Sequence, residues 1–341
     1  MKAKIKPRID LENRTKLETV IPLNAPFIVD IDPSDVCNFR CKFCPTADRK
    51  LIKTISGRNS ILDFNLYKKI VNDICEFEKP IKVLRLFKDG EPLVNPRFAE
   101  MIKYARDKKC TEKIDTTTNA SLLTPEKSLA IIEAGIDRIN ISIEGVNNKQ
   151  YFEFSKYKID FDDLVENIAY LYKNRKNCEI IVKICGDTIS EEDKDKFYKT
   201  FGDIADGVYV EHVMSAWPNY ELKEVKVNQE VGVYGQKIKQ VEVCPYLFYH
   251  LVINADGSVS ACCFDWAHRL LIGDVKKESL KDIWNGKKLF DLQKMSLKRQ
   301  RRKNPVCNNC GQLSHGYADD IDAYAGELLK KLIAKNVKEK I

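Results

Sequence analysis

The stretch "FIVDIDPSDVCNFRCKFCP", residues 27–45, joins a short β-type apolar run to three closely spaced cysteines, Cys37, Cys41 and Cys44. The run at 27–31 is the first of six. The others are "KVLRLF" (82–87), "KIDTTT" (113–118), "RINISI" (138–143), "EIIVKI" (179–184) and "VYVEHV" (208–213). Amphipathic segments lie between them. In 161–173, Leu164, Val165, Ile168 and Leu171 share one helical face, with Asp160 placed as the N-cap. Strands alternating with helices predict a parallel sheet built from βα units.

Side chains of a strand alternate between its two faces. In 138–144, Ile139, Ile141 and Ile143 oppose Asn140, Ser142 and Glu144. In 179–185, Ile180, Val182 and Ile184 oppose Ile181, Lys183 and Cys185, and Asp115, Thr117 and Asn119 lie together in 113–119. Parallel sheets are usually apolar on both faces. A polar inner face therefore predicts a lumen that holds something other than packed side chains. The fold class is α/β, a partial (β/α)6 version of the TIM-type barrel. After about 215 the pattern changes. "HLVINADGSVSAC" predicts a β-hairpin turning at Asp256-Gly257, followed by helical stretches at 279–285, 286–300 and near 320–336. The expected organisation is an N-terminal arm (1–25), a barrel (26–215), a linker (216–239) and a smaller C-terminal domain (240–341) of hairpin plus helices.

With 44% hydrophobic and 31% charged residues the chain should fold rather than stay disordered. The first twenty residues hold no apolar core segment of a signal peptide, and no apolar run approaches the ~20 residues of a membrane span. The chain reads as soluble and cytoplasmic, with no membrane and no nucleic-acid partner expected. Twelve cysteines in a chain of that compartment point to metal rather than disulfides. The basic run "KRQRR" (298–302) reads as a solvated face, or else as a dock for an acidic redox partner or a phosphorylated substrate.

Structural zinc takes four ligands, and no fourth cysteine or histidine lies near 37–44; the next is Cys75. Three thiolates suit a cubane of four irons, leaving one iron open to a small molecule. The triad also follows a strand, at the edge where barrel enzymes carry their chemistry. The spacing C-x3-C-x-aromatic-C, with Phe43 as the aromatic, resembles the radical SAM superfamily, in which S-adenosylmethionine (SAM) chelates the open iron. "KDGEP" (88–92) is similar to that family's G-G-E-P, with Asp89 in place of the first glycine. The resemblance implies that Gly90, Glu91 and Pro92 receive the SAM amino group. "TTTNA" and "ISIEG" resemble two further strand-end motifs, implying SAM contacts from Asn119, Ser142 and Glu144. Lys183 shares their face and would meet the SAM carboxylate.

Cys244, Cys262, Cys307 and Cys310 form a second set, suited to zinc or to a second cluster. The arrangement is similar to the auxiliary-cluster domains called SPASM and Twitch, implying one auxiliary 4Fe-4S cluster with four protein ligands. The G-x4-C count favours Cys262 over its neighbour Cys263. Cys75, Cys110, Cys178, Cys185 and Cys263 read as ordinary small apolar residues, and the four histidines show no ligand spacing. The resemblance thus implies two 4Fe-4S clusters, SAM and a flavodoxin or ferredoxin reductant. The four-cysteine layout is closest to radical SAM dehydrogenases of cyclitols. It implies oxidation of a hydroxyl-bearing carbon of a sugar, cyclitol or nucleotide-sugar, with Glu211 as a candidate base. Modification of a ribosomal peptide is the alternative enzyme reading, and a non-catalytic iron–sulfur or zinc protein is the third.

Overall fold

The computed structural model describes residues 1–338. Ten strands form one open sheet: β1 (Lys4–Ile5), β2 (Ile28–Ile31), β3 (Ile81–Arg85), β4 (Thr111–Thr118), β5 (Arg138–Ile143), β6 (Glu179–Cys185), β7 (Gly207–Glu211), β8 (His250–Ile253), β9 (Ser258–Ser260) and β10 (Leu271–Asp274). Their order is β1-β7-β6-β5-β4-β3-β2-β8-β9-β10. The six expected strands are β2 to β7, all parallel to their neighbours.

A helix crosses over between each successive pair, at Phe64–Ile74, Phe98–Lys108, Pro125–Glu133, Phe161–Asn174 and Glu191–Phe201. Four of them begin at side-chain caps. Asp63, Thr124, Asp160 and Ser190 each accept from backbone N–H groups of the first turn, which would otherwise be orphaned. The helix Phe161–Asn174 buries Leu164, Ile168 and Leu171, and the outer strand positions Ile139, Ile141, Ile180 and Val182 are almost fully enclosed. No helix among the described residues is long and apolar enough to cross a membrane.

Two elements differ from the sequence reading. The N-terminal arm carries β1, which pairs with β7 and lengthens the barrel sheet on that side. The C-terminal hairpin is continuous with the barrel: β8 runs parallel to β2, with Ile28 opposite His250 and Ile31 opposite Ile253. All four β8 positions are buried, the pattern of a strand covered on both faces. Its turn falls at Asp256-Gly257, where Gly257 has φ +88. One apolar core accordingly runs from the barrel (Val29, Ile31) through β8 and β9 (Leu251, Ile253, Val259) to the helices at Leu280–Trp284 and Lys287–Leu297. The second cysteine set is thereby held on the same sheet as the first.

Candidate functional site: two cysteine sets around one cavity

The loop after β2 brings Cys37, Cys41 and Cys44 together. Each thiol sits in the electrostatic field of at least one of the others, and all are free thiols. Burial pushes all three up, Cys37 to about 12. Three neighbouring, partly desolvated thiols repel one another as thiolates unless a cation compensates them. The loop is clamped from two sides. At Gly90 a Cβ would fall 2.1 Å from the Ser34 carbonyl oxygen and 2.6 Å from that of Val36, so only glycine lets the 88–92 turn approach. Glu91 N–H donates to the Val36 carbonyl at 3.1 Å.

The Glu91 carboxylate accepts from Thr118 Oγ1 (2.6 Å), Asn119 N–H (2.8 Å) and Leu93 N–H (3.0 Å). Three donors already occupy it, so in this geometry Glu91 ties β3's end to β4's end. Pro92 opens the short turn behind it, at Pro92–Val94. Asn119 Nδ2 donates to Asn38 Oδ1 (2.9 Å), inside the cysteine loop. Gly90, Glu91, Pro92 and Asn119 therefore act here on the loop's position.

A cavity of about 440 Å³ fills the lumen. It reaches from Phe43 and Glu144, beside the first cysteine set, to Cys263 and Tyr246, beside the second. Phe43 also packs on Phe154, with centroids 5.3 Å apart. Ser142, Glu144, Lys183 and Glu211 line the cavity, as the alternation predicts. Lys183 Nζ bonds Glu211 Oε2 at 2.7 Å, and Arg8 Nε lies 3.4 Å from Glu211 Oε1. Burial alone would raise the Glu211 carboxyl, but Lys183 and Arg8 outweigh it and hold it below the usual range. So held, it is a firm anion and a weak proton acceptor. Glu144 is the opposite case. Burial raises it to about 7 against the pull of Lys183.

The sequence reading missed several wall residues. Arg8 comes from the arm, Asp30 from β2, Arg85 from β3 and His250 from β8. Asp30 and Arg85 were accessible to the alternation argument, lying two residues from Ile28 and Val83 on the same faces. Side-chain oxygens of Asp30, Asp115, Thr117 and Asn140 are buried without a hydrogen-bond partner. A buried acceptor left unpaired costs about 1–3 kcal/mol, so this wall is completed by donors from a bound molecule or water.

The second set converges as well. Cys244 lies in the field of Cys262, Cys307 and Cys310, and burial pushes Cys244, Cys307 and Cys310 up. The Cys263 thiol hydrogen-bonds that of Cys262 and also lies within reach of Asp30 and His250. The basic run is not uniformly solvated. Arg301 is buried, donating from Nη1 to the Cys307 carbonyl (2.8 Å) and from Nε to that of Glu242 (3.1 Å). It fastens the 307–310 loop to the segment before Cys244 and places a positive charge beside the thiols.

The Asp89 departure has a structural use. Its carboxylate pairs with Lys88, with Arg58 Nη1 at 3.1 Å and with His268 Nε2 at 2.9 Å. All four side chains are buried, and Arg58 also donates to the Trp266 carbonyl. Burial pushes Asp89 up, but Lys88 and Arg58 more than reverse it and hold it well below the carboxylate range. This knot joins the 88–92 turn to the loop carrying Cys262. Asp89→Asn leaves two buried cations without their anion. Loss of about 3–5 kcal/mol of stability is expected, readable as a lowered denaturation midpoint.

Comparison with known proteins agrees with these two centres. Residues 31–197 match the model of the radical SAM superfamily, and residues 244–311 match that of SPASM, an iron–sulfur cluster-binding domain. The AdoMet-dependent heme synthase of Methanosarcina barkeri is 25% identical over 75% of this chain and 67% of its own length. GTP 3′,8-cyclase of Petrotoga mobilis is 35% identical over 40% of this chain, which spans only 39% of that enzyme. Among solved structures, BtrN in complex with AdoMet and 2-DOIA aligns over 86% of this chain and 96% of its own, with TM-score 0.54 and 16% identity. SuiB of Streptococcus suis, bound to precursor peptide SuiA, aligns over 88% and 73% with TM-score 0.61 and 15% identity. The chain belongs to the radical SAM superfamily and carries a SPASM domain.

The radical SAM domain implies a 4Fe-4S cluster and SAM, and the SPASM domain implies further iron–sulfur binding. The residues present fit both. Three neighbouring half-buried thiols would leave one iron without a protein ligand, four would leave none, and the cavity that reaches from one set toward the other has charged groups on its strand wall and aromatic and apolar side chains elsewhere.

Proposed function

We propose that this radical SAM enzyme oxidises a hydroxyl-bearing carbon of a small polar molecule, a sugar or cyclitol or their nucleotide-linked forms. The observation that carries the reading is a cavity with charged and hydrogen-bonding groups on its strand wall, running from beside the three-thiol loop to beside the four-thiol group. Cys37, Cys41 and Cys44 would hold the SAM-binding cluster, and Cys244, Cys262, Cys307 and Cys310 the auxiliary one. When bound, the first cluster and SAM supply hydrogen-atom abstraction from carbon.

The chain's own residues do the rest. Phe43, Ser142 and Glu144 form the cavity wall nearest the first site. The Lys183–Glu211–Arg8 chain sets a fixed charge pattern across it. The unpaired oxygens of Asp115, Thr117 and Asn140 suit a ligand rich in hydroxyl or ammonium donors. Asp115, raised by burial against the pull of Arg85, is better suited than Glu211 to take the hydroxyl proton. With Cys244, Cys262, Cys307 and Cys310 as its ligands, a second cluster would have no open iron for a substrate, and the chemistry it would supply is electron acceptance. A flavodoxin or ferredoxin would supply the first electron.

The test is anaerobic turnover with dithionite and SAM, using sugars and cyclitols deuterated at one carbinol carbon at a time. The expected result is deuterium in 5′-deoxyadenosine together with a ketone two mass units lighter than the protiated alcohol. Deuterium transfer only from a peptide would move the enzyme to the peptide-modifying reading, since SuiB is a structural neighbour. No 5′-deoxyadenosine above a Cys41→Ala control would overturn the enzymatic reading altogether.

A further inference from the structure

On the cavity floor, three side chains distant in sequence meet. Asp30 projects from β2, His250 from β8, and Cys263 follows β9. One carboxylate oxygen, one imidazole nitrogen and the Cys263 sulfur lie within 4.8 Å of one another. Asp30 and His250 are 3% and 2% exposed. His250 Nε2 sits 2.8 Å from Asp30 Oδ2, an ion-pair contact outside hydrogen-bond geometry, and His250 Nδ1 and Asp30 Oδ1 have no hydrogen-bond partner. Buried polar atoms left unpaired are costly. Asp30 and His250 belong to neither cysteine set, and Cys263, whose thiol hydrogen-bonds that of Cys262, joins them just past the end of β9.

We propose that Asp30, His250 and Cys263 form a mononuclear site for one zinc- or iron(II)-class divalent cation, with the remaining coordination position turned to the cavity. The donor set argues for that class. Calcium and magnesium want oxygen cages, whereas one thiolate, one imidazole and one carboxylate suit a borderline cation. Three protein ligands with one open position is the pattern of catalytic rather than structural zinc. All three residues line the cavity, so the open position would receive a substrate oxygen or nitrogen. Arg85 Nε lies 3.5 Å from Asp115 without a hydrogen bond and its charge also reaches Asp30 and Cys263, so the cation would share this wall with a guanidinium, while Asp30 Oδ1 has no hydrogen-bond partner. The metal would anchor one heteroatom of the substrate and fix which carbon is presented to the SAM side.

The experiment uses holoprotein with both clusters in place, stripped of loose metal, given zinc and desalted. Zinc, iron and sulfide are then counted. Wild type is expected to retain about one zinc per chain, with one sulfur at ~2.3 Å and N/O neighbours at ~2.0–2.1 Å by zinc-edge absorption. Cys263→Ala, His250→Gln and Asp30→Asn should each lower zinc retention roughly tenfold or more with iron and sulfide unchanged. Equal zinc in wild type and the variants, or none in wild type, overturns the proposal. So does sulfide loss in Cys263→Ala, which would make that residue a cluster ligand. None of these readouts requires a substrate, so they stand whatever the reaction proves to be.

Discussion

Gly90→Val yields a protein that keeps its C-terminal iron–sulfur centre and loses its N-terminal one. Sulfide per chain falls by about half, as expected when one of two 4Fe-4S centres is lost, and SAM no longer binds. The added Cβ would stand 2.1 Å from the Ser34 carbonyl oxygen and 2.8 Å from the Asp35 carbonyl carbon. These are backbone atoms, which cannot rotate aside as a side-chain tip would. The 34–36 segment must move, and it leads directly into Cys37. The opposite side cannot follow, because Glu91 is fixed to Thr118, Asn119 and Leu93, and Asn119 is fixed to Asn38. A reactive constellation tolerates about 0.5 Å of displacement, and a misplacement near 1 Å costs on the order of a hundredfold in rate. Gly326→Ala, where a Cβ meets nothing within 4 Å, is the matched control and should change neither count. Normal sulfide and SAM binding in Gly90→Val would show that the turn does not hold the cysteine loop.

What the sequence could reveal followed from short-range regularities. Period-2 alternation exposed the polar lumen, because Asn140, Ser142 and Lys183 occupy positions fixed by the pleat. Asp160 and the Asp256-Gly257 turn act within a few residues of themselves and were equally legible. What escaped was decided by register between distant segments. Pairing of β8 with β2 sets His250 opposite Ile28, two residues from Asp30, across 220 residues of chain, and no local pattern encodes it. The same holds for β1 on β7, which carries Arg8 to Glu211 and turns a candidate base into an ion-pair partner. Asp89 looked like a defect in a glycine motif. Its meaning lay with Arg58 and with His268, 179 residues away. Even spacing of histidines was uninformative, since His250, which lines the cavity, meets Asp30 and Cys263 only in three dimensions.

Cys244→Ala and Cys310→Ala separate SAM cleavage from product formation. In both, 5′-deoxyadenosine should form within a few-fold of the wild-type rate, while oxidised product falls about a hundredfold or more, near the magnitude for loss of a group used only in the reaction. The first site shares no residue with the second, and the Cys37–Cys41–Cys44 loop is held by Gly90, Glu91 and Asn119 rather than by the C-terminal cysteines. Abstraction from carbon therefore survives. The electron left behind needs an acceptor near the cavity, and the four-thiol group is one residue from its wall, since Cys262 adjoins the lining residue Cys263. Without that acceptor the substrate radical takes an electron from dithionite and a proton from solvent, so the deuterium stays in 5′-deoxyadenosine, protium replaces it in the substrate and ketone does not accumulate. Cys75→Ala, at an exposed thiol remote from both sets, should leave the ratio of 5′-deoxyadenosine to ketone at the wild-type value. A ratio that stays near one in Cys244→Ala, with the second cluster's sulfide gone, would mean that the electron leaves by another route and that the four-thiol group serves only to hold the C-terminal loops together.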